Sequence, residues 1–108
     1  MAADPNRPSN SKGNASDFYM ACRQGDLMKV NRLLKTMSTR DVNRIEESNG
    51  STALHAASFF GHANIVKLLL EIGANINIRN GHGLTPEQEA TTEEIKDVFE
   101  QHKKKNNM

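Results

Sequence analysis

Four histidines, one cysteine and a scatter of carboxylates are the residues of this 108-residue chain that could do chemistry. His55 and His62 lie seven apart with Phe59 and Phe60 between them, while His82, His102 and Cys22 stand well away in sequence. A structural or catalytic zinc site draws its ligands from closely paired Cys and His. No such pair repeats here, so no metal is expected. Cys22 has no motif around it and reads as a small core residue rather than a nucleophile. Gly81-His82-Gly83 leads into Thr85-Pro86 without the lysine that a phosphate loop needs. Glu46, Glu47, Glu87, Glu89, Glu93 and Glu94 read as solvated faces and helix caps. No nucleophile, base and orienting group come together, so neither catalysis nor a cofactor is expected.

The stretch that would position these groups is Gly50–Asn77, GSTALHAASFFGHANIVKLLLEIGANIN. Thr52 can cap a short helix through its hydroxyl, with Leu54 and Ala57 on its apolar side. Gly61 supplies a left-handed position that ends that helix. Ile65, Val66, Leu68, Leu69 and Ile72 then recur at helical spacing, and Gly73 ends the second helix. Ala56 and Ala57 are small enough for the two helices to lie close. The unit is apolar on two sides and therefore requires neighbours.

Thr52-Ala53-Leu54-His55, Gly61-His62, Ile65-Val66-Lys67-Leu68-Leu69-Leu70 and Gly73-Ala74-Asn75-Ile76-Asn77 together closely resemble an ankyrin repeat. Gly50 and Thr52 recur as Gly83 and Thr85, 33 residues later, which is the ankyrin period. The one departure in the opening motif is Ala53, where the family has proline. The resemblance implies an all-α solenoid of about three helix–turn–helix repeats joined by short hairpin turns. It also implies that His55 ties the start of its helix to the neighbouring turn. His62 is simply a polar residue at the start of a second helix.

Length favours one domain. A net charge of +1 argues against a nucleic-acid or membrane surface as the main partner. A single cysteine fits a reducing compartment, and no apolar run approaches bilayer length. The expected location is cytoplasmic, with the nucleus open. Asn14-Ala15-Ser16 and Asn49-Gly50-Ser51 match a glycosylation sequon, which is read as chance in an intracellular protein.

Residues 1–14 combine Pro, Ser, Asn and Gly and are expected to be flexible. The repeat domain is expected over 15–101, as repeats 15–46, 47–79 and 80–101, followed by a basic tail at 102–108. In the first repeat Ser16 takes the place of Thr52, Phe18 that of Leu54, and Gly25-Asp26 that of Gly61-His62. Asp41-Val42-Asn43 parallels the turn at Asn75-Ile76-Asn77. Lys35–Arg40 lacks a stop glycine and is expected to be an irregular loop. In the third repeat Thr85-Pro86-Glu87-Gln88 is a helix start, with Gln88 reaching back to the cap. Thr91-Thr92-Glu93-Glu94 begins a second helix with Ile95, Val98 and Phe99 as its apolar stripe. His102-Lys103-Lys104-Lys105 suits a helix end.

The second helices differ by face. Where the middle repeat has Ile65 and Leu68, the first has Lys29 and Arg32. Where it has Val66, Lys67 and Leu70, the last has Lys96, Asp97 and Glu100. Terminal repeats of a solenoid need a polar outer face, so an N-cap, one central repeat and a C-cap are expected to form a complete monomeric unit.

Partners of the ankyrin family lie along the concave face made by the turn tips and the ends of the first helices. The resemblance therefore implies a protein partner at Arg23, Gln24, Ser48, Asn49, Ser51, Phe59, Phe60 and His82, with Gly81 and Leu84 nearby. Consecutive helical residues point about 100° apart, so one phenylalanine is expected to tuck in while the other is exposed. An exposed aromatic beside an arginine has the make-up of a binding hot spot. Asn77 occupies the turn position that is hydroxylated in some ankyrin proteins, with Leu69 eight residues before it. The expected function is a non-catalytic protein-interaction module or scaffold, with a regulatory segment of a larger enzyme or signalling protein as the alternative.

Overall fold

The computed structural model describes residues 16–106; the segment 1–14, expected to be flexible, lies outside them. Among the described residues there are six α-helices, one 3-10 turn and no strand. The helices are α1 (Asp17–Gln24), α2 (Leu27–Leu34), α3 (Thr39–Val42), α4 (Ala53–Phe59), α5 (Ala63–Glu71) and α6 (Glu93–Asn106). The 3-10 turn spans Glu87–Glu89. First helices stack as α1, α4 and the 3-10 turn, and second helices as α2, α5 and α6. This is an all-α ankyrin-type solenoid with two helical layers.

The core lies between the layers. Phe18, Cys22, Val30, Leu54, Ile65, Val66, Leu69, Ile95 and Phe99 are all buried in one cluster. The apolar stripe of α5 supplies its centre, and Ile95 and Phe99 of α6 close it from the C-terminal side. Val98 packs against it, half-buried. Burial pushes the Cys22 thiol up to about 12, because thiolate has no solvation there. It is a small packing residue, as its lack of a motif implied.

Local capping chemistry sets the helix starts. Ser16, Thr52 and Thr92 each accept a backbone N–H from three residues on, at 3.1, 3.3 and 3.1 Å. Gly25 follows α1 in the left-handed region, and a side chain there would also meet the His62 ring at 2.6 Å. Conformation and space both require glycine.

Three expectations are corrected. Lys35–Arg40 is not an irregular loop throughout, because the chain re-enters a helix at Thr39 and holds it to Val42. Ser38 and Asp41 form a reciprocal capping box, each side chain accepting the other's backbone N–H at 3.2 Å. Asp41-Val42 is accordingly helical instead of copying the turn at Asn75–Asn77. In the third repeat Thr85 and Gln88 form the anticipated box, but the helix it starts is only the three-residue 3-10 turn. Ala90 is already extended at ψ 130°, because the shortened repeat must reach Thr92 at once. The second helix of that repeat, α6, runs on to Asn106, with the basic residues in its last turn. Gln101–Lys105 holds no helix breaker, its lysines complement the carbonyl end of the helix, and Lys103 reaches Glu87 at 2.7 Å.

The outward positions of the end helices carry charge: Arg32, Lys96, Asp97 and Glu100 are exposed and Lys29 is half-buried. Met28 is also 81% exposed, so the first end is not uniformly polar. No described helix is long and apolar enough to cross a membrane.

Candidate functional site

The hairpin turns and the first-helix ends enclose a concavity of about 290 Å³ that touches all three repeats. Its floor is built from the groups that join the repeats. His55 is fully buried. Its Nδ1 accepts the Thr52 backbone N–H at 3.0 Å, which leaves Nε2–H to donate to the Leu84 carbonyl at 2.8 Å. Two ring nitrogens thus complete a helix cap and clasp the next turn. Burial lowers the His55 pKa from 6.5, although the Leu84 carbonyl, the Glu89 charge and the Ile78 carbonyl pull the other way. Ser58, also buried, donates to the Pro86 carbonyl at 2.7 Å.

Tyr19 stands in the first repeat where His55 stands in the second. Its hydroxyl accepts from Asn49 Nδ2 at 3.1 Å. A phenol oxygen on that long ring cannot also accept the Ser16 backbone N–H, and Glu46 does so instead, at 3.1 Å. The second Glu46 oxygen takes the Ser16 hydroxyl at 3.0 Å, and Arg44 Nε lies 3.5 Å away. Glu46 is only 2% exposed, which corrects its reading as a solvated carboxylate. Its counterpart at the start of the next hairpin, Asn80, likewise reaches back, donating to Ser51 Oγ at 3.4 Å. No local signal marks Glu46, because its partner lies 30 residues earlier.

The rim carries the aromatic and charged groups. Phe59 is 50% exposed and Phe60 44%, so both face out where one was expected to tuck in. α4 stops at Phe59, and Phe60 already belongs to the turn, which ends the 100° alternation. Their rings meet edge to face with centroids 5.0 Å apart. The Arg23 guanidinium lies 4.9 Å from the Phe60 centroid, a cation–π distance. His62 Nε2 donates to the Arg23 carbonyl at 2.9 Å, so the tip of the second repeat grips the tip of the first. The sequence showed His62 only as a helix-start residue.

Arg23, Asn49, Ser51, Phe59, Phe60 and His82 line this one concavity, together with Tyr19, Ala56, Asn80 and Glu89, which sequence reasoning did not single out. Ser51 is buried in the floor, so it offers an oxygen and a hydroxyl proton rather than an exposed side chain. Gln24 and Ser48 are exposed but lie outside the lining. Asn77 is exposed in its turn, its backbone N–H donating to Asn75 Oδ1 at 2.8 Å. Among the described residues no group of three or more His, Cys, Asp or Glu could hold a metal. A second concavity of about 320 Å³ between α5 and α6, lined by Lys67, Glu71, Asp97 and Gln101 among others, gathers none of the anticipated residues.

Comparison with known proteins gives the family. The model for ankyrin repeats (3 copies) matches residues 7–101. The chain is 36% identical over 78 residues to human histone-lysine N-methyltransferase EHMT1, covering 71% of this chain and 6% of that protein. It is 38% identical over 69 residues to pig NF-kappa-B inhibitor alpha, covering 61% and 22%. It is 38% identical over 70 residues to ankyrin repeat-containing protein P1E11.10 of Schizosaccharomyces pombe, covering 65% and 32%. The chain thus spans between 6% and 32% of the length of these relatives. A repeat unit of this period, with these caps and this two-layer stack over most of the sequence, makes the chain a member of the ankyrin-repeat family.

Proposed function

We propose that the chain is a non-catalytic module that binds a partner protein through the concavity between its turn tips and first helices. The half-exposed Phe59–Phe60 pair beneath Arg23 carries this reading. Aromatic surface left open beside a guanidinium, over a floor already fixed by hydrogen bonds, is rigid, desolvatable and costs little entropy to dock against. Ankyrin repeats are in general protein-interaction modules, and the relatives include an inhibitor protein by name. In this reading the chain acts as a monomer in the cytoplasm, with access to the nucleus, and contacts neither nucleic acid nor membrane.

The experiment is a pull-down from cytosolic extract with wild type and the double substitution Phe59→Ser/Phe60→Ser, with thermal unfolding recorded for both. The expected outcome is an unchanged melting temperature with loss of a specific captured protein. Loss of fold would mean that the half-exposed pair also supports the stack, and would move the search to Arg23, Asn49 and His82. Retention of every captured protein by a folded double variant would overturn the reading.

A second reading is a regulatory or targeting segment within a larger protein. It is favoured by the small share of each relative that the chain covers. An immunoblot of the endogenous protein decides it, since this chain alone has a mass of 12.0 kDa. The exposed Asn77 is in addition a proposed hydroxylation site. Mass spectrometry of protein from its native cells should then show one added oxygen at Asn77, and an unmodified peptide under normal oxygen would remove the idea.

A further inference from the structure

The proposed binding concavity is polarised from one end of the stack to the other. At the first-repeat end stand hydrogen-bond donors. The Arg23 guanidinium meets Phe60; cation–π attraction leaves guanidinium N–H groups able to form a paired bond to a carboxylate. Tyr19 on the same helix and Ser51 at the middle of the lining are buried, and their hydroxyl oxygens already accept from Asn49 and Asn80. Each hydroxyl therefore keeps its own proton to donate. At the third-repeat end the lining holds Asn80, His82 and the one carboxylate of the concavity, that of Glu89, half-buried at the close of the 3-10 turn. Glu87 on the same turn is engaged by Lys103, which leaves Glu89 as the carboxylate of the concavity. Phe59 and Phe60 supply the apolar surface of the same lining.

Resting on the reading of this concavity as the binding surface, we propose the chemistry of its occupant. It is an extended segment of a partner protein whose apolar side chain packs on Phe59 and Phe60, with an acidic side chain at the Arg23 end and a basic side chain at the Glu89 end. A segment acidic throughout gains at Arg23 and is repelled at Glu89, and a basic one meets the reverse. The opposed pair therefore selects both composition and direction.

The test is an array of synthetic peptides. Each carries a central Phe, Leu or Met flanked on its two sides by every combination of acidic, basic and neutral residues, and the array is probed with the labelled full chain. Wild type should retain oppositely flanked peptides about tenfold better than neutral or like-charged ones. Arg23→Glu should shift the preference to basic flanks on both sides, and Glu89→Lys to acidic flanks on both sides. Thermal unfolding of each variant accompanies the array. Where a reversal fails to fold, Arg23→Gln and Glu89→Gln serve, each erasing the preference at one flank. An unchanged flank preference in folded Arg23 variants overturns the proposal, as does retention of no peptide by wild type. If Phe59→Ser/Phe60→Ser abolishes retention while flank charge has no effect, the surface stands and its charge pattern falls. If retention survives that double substitution, the surface reading itself falls.

Discussion

The junction between the first and second repeats and the junction between the second and third do the same job with different residues. In both, the backbone N–H of a helix cap needs a buried acceptor, and the first helix must be tied to the next hairpin turn. At the second junction one side chain does both, His55 accepting from Thr52 and donating to Leu84. At the first junction the work is divided, Glu46 accepting from Ser16 and Tyr19 meeting Asn49. The third repeat completes the series. Gln88 accepts from Thr85 but reaches no further turn. An imidazole joins two repeats because it is donor and acceptor at opposite ends of a rigid ring; a phenol and an amide each manage half.

The largest expected effect breaks the C-terminal side outright. Phe99→Ala removes a fully buried ring from α6 and should cost about 3–5 kcal/mol, read as loss of cooperative thermal unfolding. His55→Ala should follow, at about 2–5 kcal/mol by denaturant titration, since it strands the Thr52 N–H and the Leu84 carbonyl together. His55→Gln sharpens the comparison: an amide can cap as Gln88 does, so this variant should lose only the forward tie and cost less than alanine.

Acidity separates the junctions further. Burial holds His55 neutral in the fold, with its pKa below the ordinary 6.5. Below that value the unfolded chain binds the proton and the folded chain does not. The His55 contribution is thus complete above about pH 6.5 and is lost as pH falls through that value towards the folded pKa. Melting temperature should decline over this window in wild type and decline less in His55→Gln. Glu46→Gln should cost about 1–3 kcal/mol, because one of its two accepting oxygens becomes a donor facing the Ser16 N–H or hydroxyl. Tyr19→Phe, which deletes one bond to an exposed asparagine, should cost about 0.5–1.5 kcal/mol. If Tyr19→Phe proved as costly as His55→Ala, the division of labour at the first junction would be wrong.

What could be read from the sequence follows the distance over which each interaction acts. Thr52 and Gly61 act within a few residues, so spacing revealed the cap and the stop, while the reach of His55 to Leu84, 29 residues on, was legible only through the family resemblance. The Ser38-Thr39-Arg40-Asp41 box is equally local and carries its own signature, a cap residue with a carboxylate three positions on. Glu46, Tyr19 and the grip of His62 on Arg23 were not legible, because each depends on register with residues 30 or 39 positions away. The family's concave face pointed to six of the residues that line the concavity; Tyr19, Ala56, Asn80 and Glu89 look like ordinary helix, turn and cap residues until the hairpins are stacked.

At the hairpin tips the repeats touch main chain to main chain. Gly81 N–H donates to the Asn49 carbonyl at 2.9 Å, and a Cβ on Gly50 or Gly81 would strike the opposite backbone at 2.8 or 2.9 Å. Along the outer helices, by contrast, neighbours are held apart by Leu, Ile and Phe side chains. A stack tight at one edge and padded at the other must bend, as a dry-stone arch does. The curvature that shapes the concave face is therefore written in two glycines at its edge.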